Sequence, residues 1–131
     1  RVKTVFHLAI PTHDLELAES FYVTVMGARR ARKYNDRVTF DLSKHQLVCH
    51  LAPEEIADKI SMYPRHFGLT FIDQKEFDEA YKRVLDNGWP LFKELFTRWP
   101  ASKEKHLSFF IADPSNNLIE FKYYFDPSCI Y

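Results

Sequence analysis

Cysteine is scarce in this chain of 131 residues, with only Cys49 and Cys129 present. Two thiols, one inside the apolar run Leu47-Val48-Cys49, fall short of the dense framework that a disulfide-stapled domain needs. A reducing cytoplasm is therefore the expected compartment. Net charge is missing as well. Eighteen basic residues cancel eighteen acidic ones, so no global field draws the chain to nucleic acid or to an anionic membrane surface. No apolar run reaches bilayer length, and no signal peptide is expected. What the chain has in quantity is apolar material, 46% of its residues, with aromatics at 16%. That is enough for a sizeable core and an aromatic-lined pocket, and it excludes disorder. A bland surface of this kind suits a small-molecule ligand or a protein partner.

The sequence repeats itself. Phe6-His7-Leu8-Ala9-Ile10 reads as a strand leading to Asp14, a helix cap. Arg65-His66-Phe67-Gly68-Leu69 reads the same way and leads to Asp73. His7 and His66, Asp14 and Asp73, and Tyr22 and Tyr81 are each separated by 59 positions. Gly27 and Gly88 close the two helices, the second shifted by two residues. Leu17, Phe21 and Val25, with Ala18 and Tyr22, form the apolar stripe of the first helix. Phe77, Tyr81, Val84 and Leu85 form that of the second, behind the capping pattern Asp73 and Glu76. Three strands are predicted after each helix, near 28–34, 37–42 and 46–52, and near 92–97, 106–112 and 117–125. Asn35-Asp36 and Asp113-Pro114-Ser115-Asn116-Asn117 are turn signals, the latter with an asparagine suited to positive φ. The whole is one α+β domain, 1–131: a βαβββ module over 1–53, a linker over 54–64 helical from Glu54 to Ile60, a second module over 65–126, and a tail over 127–131.

Side chains alternate faces along a strand, so parity sorts them. Phe6, Leu8 and Ile10 should meet a helix, leaving His7 and Ala9 on the other face. Phe67, Leu69 and Phe71 oppose His66, Gly68 and Thr70. Ile119, Phe121 and Tyr123 oppose Leu118, Glu120, Lys122 and Tyr124, while Leu47, Cys49 and Leu51 oppose Gln46, Val48 and His50. His7, His66, Glu120 and His50 thus fall on the non-helix faces of four strands, with Ala9 and Gly68 leaving room. Two neutral imidazoles and a carboxylate suit a divalent ion, Fe²⁺ or Mn²⁺ first, then Zn²⁺, Ni²⁺ or Co²⁺. His50 is a fourth ligand or a partner to one. Phe40, Phe92, Phe96, Trp99 and Phe110 are candidate pocket aromatics, and Lys122 and Tyr124 share the parity of Glu120. The cluster Arg29-Arg30-Ala31-Arg32-Lys33 reads as a solvated strand edge. His13 and His106 have no partner legible in the sequence.

These residues resemble the vicinal oxygen chelate superfamily of glyoxalases, bleomycin resistance proteins and extradiol dioxygenases. The resemblance runs from Phe6 to Tyr124. Phe6-His7-Leu8-Ala9-Ile10, the stretch from Asp14-Leu15 through Ser20-Phe21-Tyr22 to Met26-Gly27, and Asp113-Pro114-Ser115-Asn116-Asn117-Leu118-Ile119-Glu120 carry it. It implies two tandem βαβββ modules forming a curled mixed sheet around a metal cup, with ligands at His7, His66 and Glu120. His50 matches a position that is a carboxylate in glyoxalases. His45 resembles the acid/base histidine of the extradiol branch, and Phe110 stands where that branch carries a tyrosine.

The expected function is that of a metal-dependent small-molecule enzyme, first an extradiol-type dioxygenase that binds neighbouring oxygens of an aromatic substrate. The acid/base groups are His45 and His50; Phe110, Tyr124, Lys122 and Phe40 line the substrate pocket. The alternatives are a glyoxalase-type lyase or isomerase and a non-catalytic drug-binding module. A homodimer is expected, with the site either within one chain or shared between two.

Overall fold

The computed structural model describes residues 3–131, so the first two positions of the expected 1–53 module lie outside the described residues. The elements in order are β1 (His7–Thr12), α1 (Leu15–Ser20), β2 (Arg29–Lys33), β3 (Arg37–Leu42), β4 (His45–Leu51), β5 (Phe67–Phe71), α2 (Gln74–Asp86), β6 (Lys93–Arg98), β7 (His106–Ala112) and β8 (Leu118–Tyr124). They make two four-stranded mixed sheets, ordered β1-β4-β3-β2 and β5-β8-β7-β6. In each, the first strand of the module lies parallel to the fourth and the remaining pairs are antiparallel. The two compact units are the residues up to Lys59 with Asp113–Asn117, and Ile60–Ala112 with Leu118–Tyr131. Among the described residues no helix is long and apolar enough to cross a membrane.

In the first unit Asp14 caps α1 by accepting from Leu17 N, and a π-helical turn over Phe21–Val25 extends the helix. Its buried stripe is Ala18, Phe21, Tyr22, Val25 and Met26, spaced as one helix face. Leu17, expected on that stripe, falls to its rim and is 46% exposed. Gly27 then takes φ 73° and ends the helix. Tyr22 lies against Phe40 with ring centroids 5.3 Å apart. Phe40 is thus buried beneath the helix. Phe6, expected to meet a helix, is 63% exposed. It precedes the first paired residue of β1, and its ring meets the edge of His45 instead. β2 is an edge strand whose Arg29, Arg30 and Lys33 pair with Asp41, Glu19 and Glu16.

The β7–β8 turn belongs to the first unit, tied there by a buried carboxylate. Asp113 accepts from Tyr22 Oη at 2.7 Å, Ser115 N at 2.8 Å, and Asn117 N and Nδ2 at 2.9 Å each. Ser115 Oγ meets Thr12 Oγ1 at 3.1 Å and His13 Nδ1 at 2.7 Å, which gives His13 its partner. Asn116 has φ 64°, the left-handed turn position the sequence indicated. Burial, aided by the charge of Asp113, holds the Tyr22 phenol and the Cys49 thiol well above their ordinary ranges.

The expected helix over Glu54–Ile60 is absent. A single 3₁₀ turn, Pro53–Glu55, gives way to extended backbone at Ile56. The segment buries no residue, and so short a helix without a packed face cannot repay nucleation.

In the second unit Asp73 accepts from Lys75 N and starts α2, which buries Phe77, Ala80 and Val84. Phe77 meets Phe71, Phe109 and Tyr123 at 5.8, 5.7 and 6.3 Å, and Phe109 stacks on Phe121 at 4.5 Å. This aromatic core occupies one face of the β5-β8-β7-β6 sheet, as parity predicts. The other face carries the functional candidates.

Candidate metal centre

Glu120 sits on β8 opposite Gly68 of β5 and Phe110 of β7. Its side chain is almost fully buried, and each carboxylate oxygen has a separate partner. Oε2 accepts from Ser108 Oγ at 2.5 Å. Oε1 faces His66 Nε2 at 3.0 Å. His66 lies immediately before β5, and its Nδ1 is 2.6 Å from the Met62 carbonyl oxygen. Only an N–H fits between two such atoms, so the neutral ring carries its proton on Nδ1 and keeps a lone pair on Nε2. The edge of Phe110 flanks this imidazole, with centroids 5.4 Å apart, and Tyr63 stands at 5.7 Å.

Two lone-pair atoms thus confront each other across 3.0 Å. Such a gap holds either a proton, making an imidazolium–carboxylate pair, or a cation. Two donors each about 2.1 Å from one divalent ion and at right angles to it lie about 3.0 Å apart. Both are borderline-to-hard donors suited to first-row divalent metals, and each is oriented by a second hydrogen bond, as metal-binding imidazoles and carboxylates commonly are. The residues present fit such an ion.

Gly68 matters for a reason beyond the room parity suggested. A Cβ there would stand 1.9 Å from the Glu120 carbonyl oxygen, so the close approach of β5 to β8 requires glycine.

Among the described residues no three His, Cys, Asp or Glu side chains form a group that could hold a metal ion. The structure brings together His66 and Glu120. His7, at the exposed start of β1, His45 and His50 belong to the first unit. His50 is exposed and pairs in register with Pro11 and Arg37. His45 accepts the Phe6 N–H on Nδ1 at 3.3 Å, which leaves its proton on Nε2. Ser108 and the Met62 carbonyl were missed in the sequence. A lone serine within the apolar run 107–111 was the signal for the first; nothing marks the second.

The model of the Glyoxalase/Bleomycin resistance protein/Dioxygenase superfamily matches residues 4–121. A structure of a glyoxalase/bleomycin resistance protein/dioxygenase from Alicyclobacillus acidocaldarius is 51% identical and covers 98% of this chain and 97% of its own, with a TM-score of 0.94. The chain belongs to this superfamily. It also resembles, in fold, lactoylglutathione lyase from Agrobacterium tumefaciens (23% identity, 93% and 94% coverage, TM-score 0.69). A third similar structure is the fosfomycin resistance protein FosX from Listeria monocytogenes, complexed with Mn(II) and 1S,2S-dihydroxypropylphosphonic acid (16% identity, 92% and 90% coverage, TM-score 0.70). No curated protein matches the chain.

Proposed function

We propose that this protein is a divalent-metal enzyme that acts on a small molecule through two neighbouring oxygens of that substrate. The His66–Glu120 pair carries the reading, because two oriented lone-pair donors face each other at a spacing that fits ligands of one ion. His7, the counterpart of His66 in the repeat, is the proposed third ligand and His50 a fourth. The ion supplies Lewis-acid stabilisation of negative charge developing on substrate oxygen. The chain's own groups do the rest. Ser108 fixes the Glu120 carboxylate in one orientation, Met62 fixes the His66 tautomer, and Phe110 closes one side of the imidazole against water. His45, with its proton on Nε2, and His50 are the proposed proton carriers.

Two reaction types remain within this class. Extradiol cleavage of a catechol is supported by the donor set of two imidazoles and a carboxylate. A lyase or isomerase reaction is favoured by Phe110, which stands beside His66 and has no hydrogen to donate to a bound catecholate. The likeness to a lactoylglutathione lyase leans the same way, and the likeness to a FosX holding Mn(II) supports the divalent ion. Anaerobic purification with elemental analysis comes first, and about one Mn or Fe per binding site is expected. Catechols under oxygen are then compared with 2-oxoaldehyde–thiol adducts without it. Ring-cleavage chromophores select the oxygenase; turnover of the second group selects the non-oxidative reading. Protein that stays metal-free after reconstitution is a ligand-binding module instead.

A further inference from the structure

The face of the second unit that bears Glu120 continues into a strip of cations and aromatic rings that the metal site does not use. Pairing fixes its order: Phe110 opposite Glu120, Ser108 opposite Lys122, and Arg98 opposite His106 opposite Tyr124. Directly paired residues share a face, so Lys122 stands one pleat beyond Glu120 and Tyr124 two. One pleat is about 7 Å at the rise of a strand. The side chains touch in sequence. Lys122 Nζ lies over the Tyr124 ring at 5.6 Å, Tyr124 meets His106 at 4.4 Å, His106 meets Trp99 at 5.7 Å, and Arg98 Cζ lies over Trp99 at 5.1 Å.

Three features make this strip unlike an ordinary surface. Among the described residues no carboxylate stands within salt-bridge distance of Lys122 or Arg98, although Lys122 is half-buried. Its charge is met only by an aromatic face, which compensates a cation weakly compared with an anion. Trp99, at the rim, is 50% exposed and holds φ 47°. That conformation is costly for a bulky residue, and here it opens a turn that Ser102 N closes on the Trp99 carbonyl. The oxygens of Glu120, one pleat from Lys122, are already engaged by Ser108 and His66.

Building on the metal-enzyme reading, we propose that the substrate is a small organic anion. Its neighbouring oxygens bind at His66 and Glu120, and its anionic oxyacid group, a carboxylate or phosphonate, lies about 7 Å away against Lys122. Its apolar body rests on Tyr124, which the buried His106 backs, with Arg98 and Trp99 at the far end. Lys122 is thus a specificity-determining residue: it selects for the charge of the substrate and leaves the chemistry to the metal pair.

The test uses the protein loaded with Mn²⁺ and two matched ligand pairs: 3,4-dihydroxybenzoate against catechol, and 4,5-dihydroxypentanoate against 1,2-pentanediol. Calorimetry should show the anionic member of at least one pair binding about tenfold or more tightly, the worth of a charge-assisted hydrogen bond. Lys122→Gln should remove that preference while metal content and affinity for the neutral member stay unchanged, and Lys122→Arg should retain it. Equal binding within both pairs, a preference that survives Lys122→Gln, or binding of neither anion overturns the proposal. Elemental analysis of the same samples separates the two readings. Absence of metal defeats the proposed function; bound metal without charge preference defeats only the anion-recognising role of Lys122.

Discussion

A hydroxyl 2.5 Å from Glu120 Oε2 fixes which carboxylate oxygen is left to face His66. Ser108→Ala frees that carboxylate to rotate and costs the pair its preorganisation. Removing such an orienting partner lowers metal affinity about 10–100-fold. Chelator competition should read a loss of that size, with far-ultraviolet dichroism unchanged. Affinity equal to wild type would mean that Ser108 only fills space. The glycine opposite Glu120 acts through the backbone. Since a Cβ at position 68 would lie 1.9 Å from the Glu120 carbonyl oxygen, Gly68→Ala must push β5 and β8 apart. A loss of about 2 kcal/mol or more is expected from such overpacking, read as a lower urea midpoint, together with weaker metal binding. A variant as stable as wild type would show that the strands can separate without cost. Both effects rest on atoms that parity alone does not locate. Parity put Glu120 and His66 on their faces. The Ser108 contact depends on the β7–β8 register, which a sequence does not display.

At the scale of elements, both βαβββ repeats were legible because each signal was local: Asp14 and Asp73 as caps, alternating apolar positions, and turn residues at fixed places. The observed strands lie within two residues of the predicted ones. What escaped the sequence was set by tertiary contacts. The π-helical turn after Ser20, the linker that leaves the helical conformation at Ile56, and the exposure of Phe6 all depend on whether a packing partner is present. The turn Asp113–Asn117 shows both sides of this. Its conformation was readable, down to the positive φ of Asn116, but its membership of the first unit was not. That membership rests on Asp113, whose carboxylate accepts four hydrogen bonds in a buried setting. Asp113→Ala leaves the Tyr22 hydroxyl and the amides of Ser115 and Asn117 without their acceptor. The expected cost is about 3 kcal/mol or more, seen in a urea midpoint far below that of the exposed variant Asn35→Ala. A shift of less than about 1 kcal/mol would mean that water or the backbone replaces the carboxylate at little expense.

For the molecule as a whole, the same carboxylate sets how stability responds to alkali. Burial first, and the charge of Asp113 second, hold the Tyr22 phenol above its ordinary 10.0 and the Cys49 thiol above its ordinary 9.0. Both groups are acids whose folded form keeps a proton that the unfolded chain releases. Below pH 9 neither state ionises them and their contribution to stability is complete. Above it the unfolded chain loses the thiol proton, and above pH 10 the phenol proton, while the native protein holds both. The native state then binds more protons, so stability falls as pH rises, by up to about 1.4 kcal/mol per pH unit for each group. Lys33, held above its ordinary value by Glu16 and Glu19, pulls in the same direction from an exposed position where solvent screens it. Melting temperatures measured from pH 8 to about pH 11 should therefore decline with a slope that steepens past pH 10. Tyr22→Phe loses the hydrogen bond to Asp113 and starts lower at pH 8, yet its decline above pH 10 should be shallower than that of wild type. A parallel decline in the two proteins would show that the native phenol ionises as readily as an exposed one, and that the buried Tyr22–Asp113 contact opens before the rest of the fold.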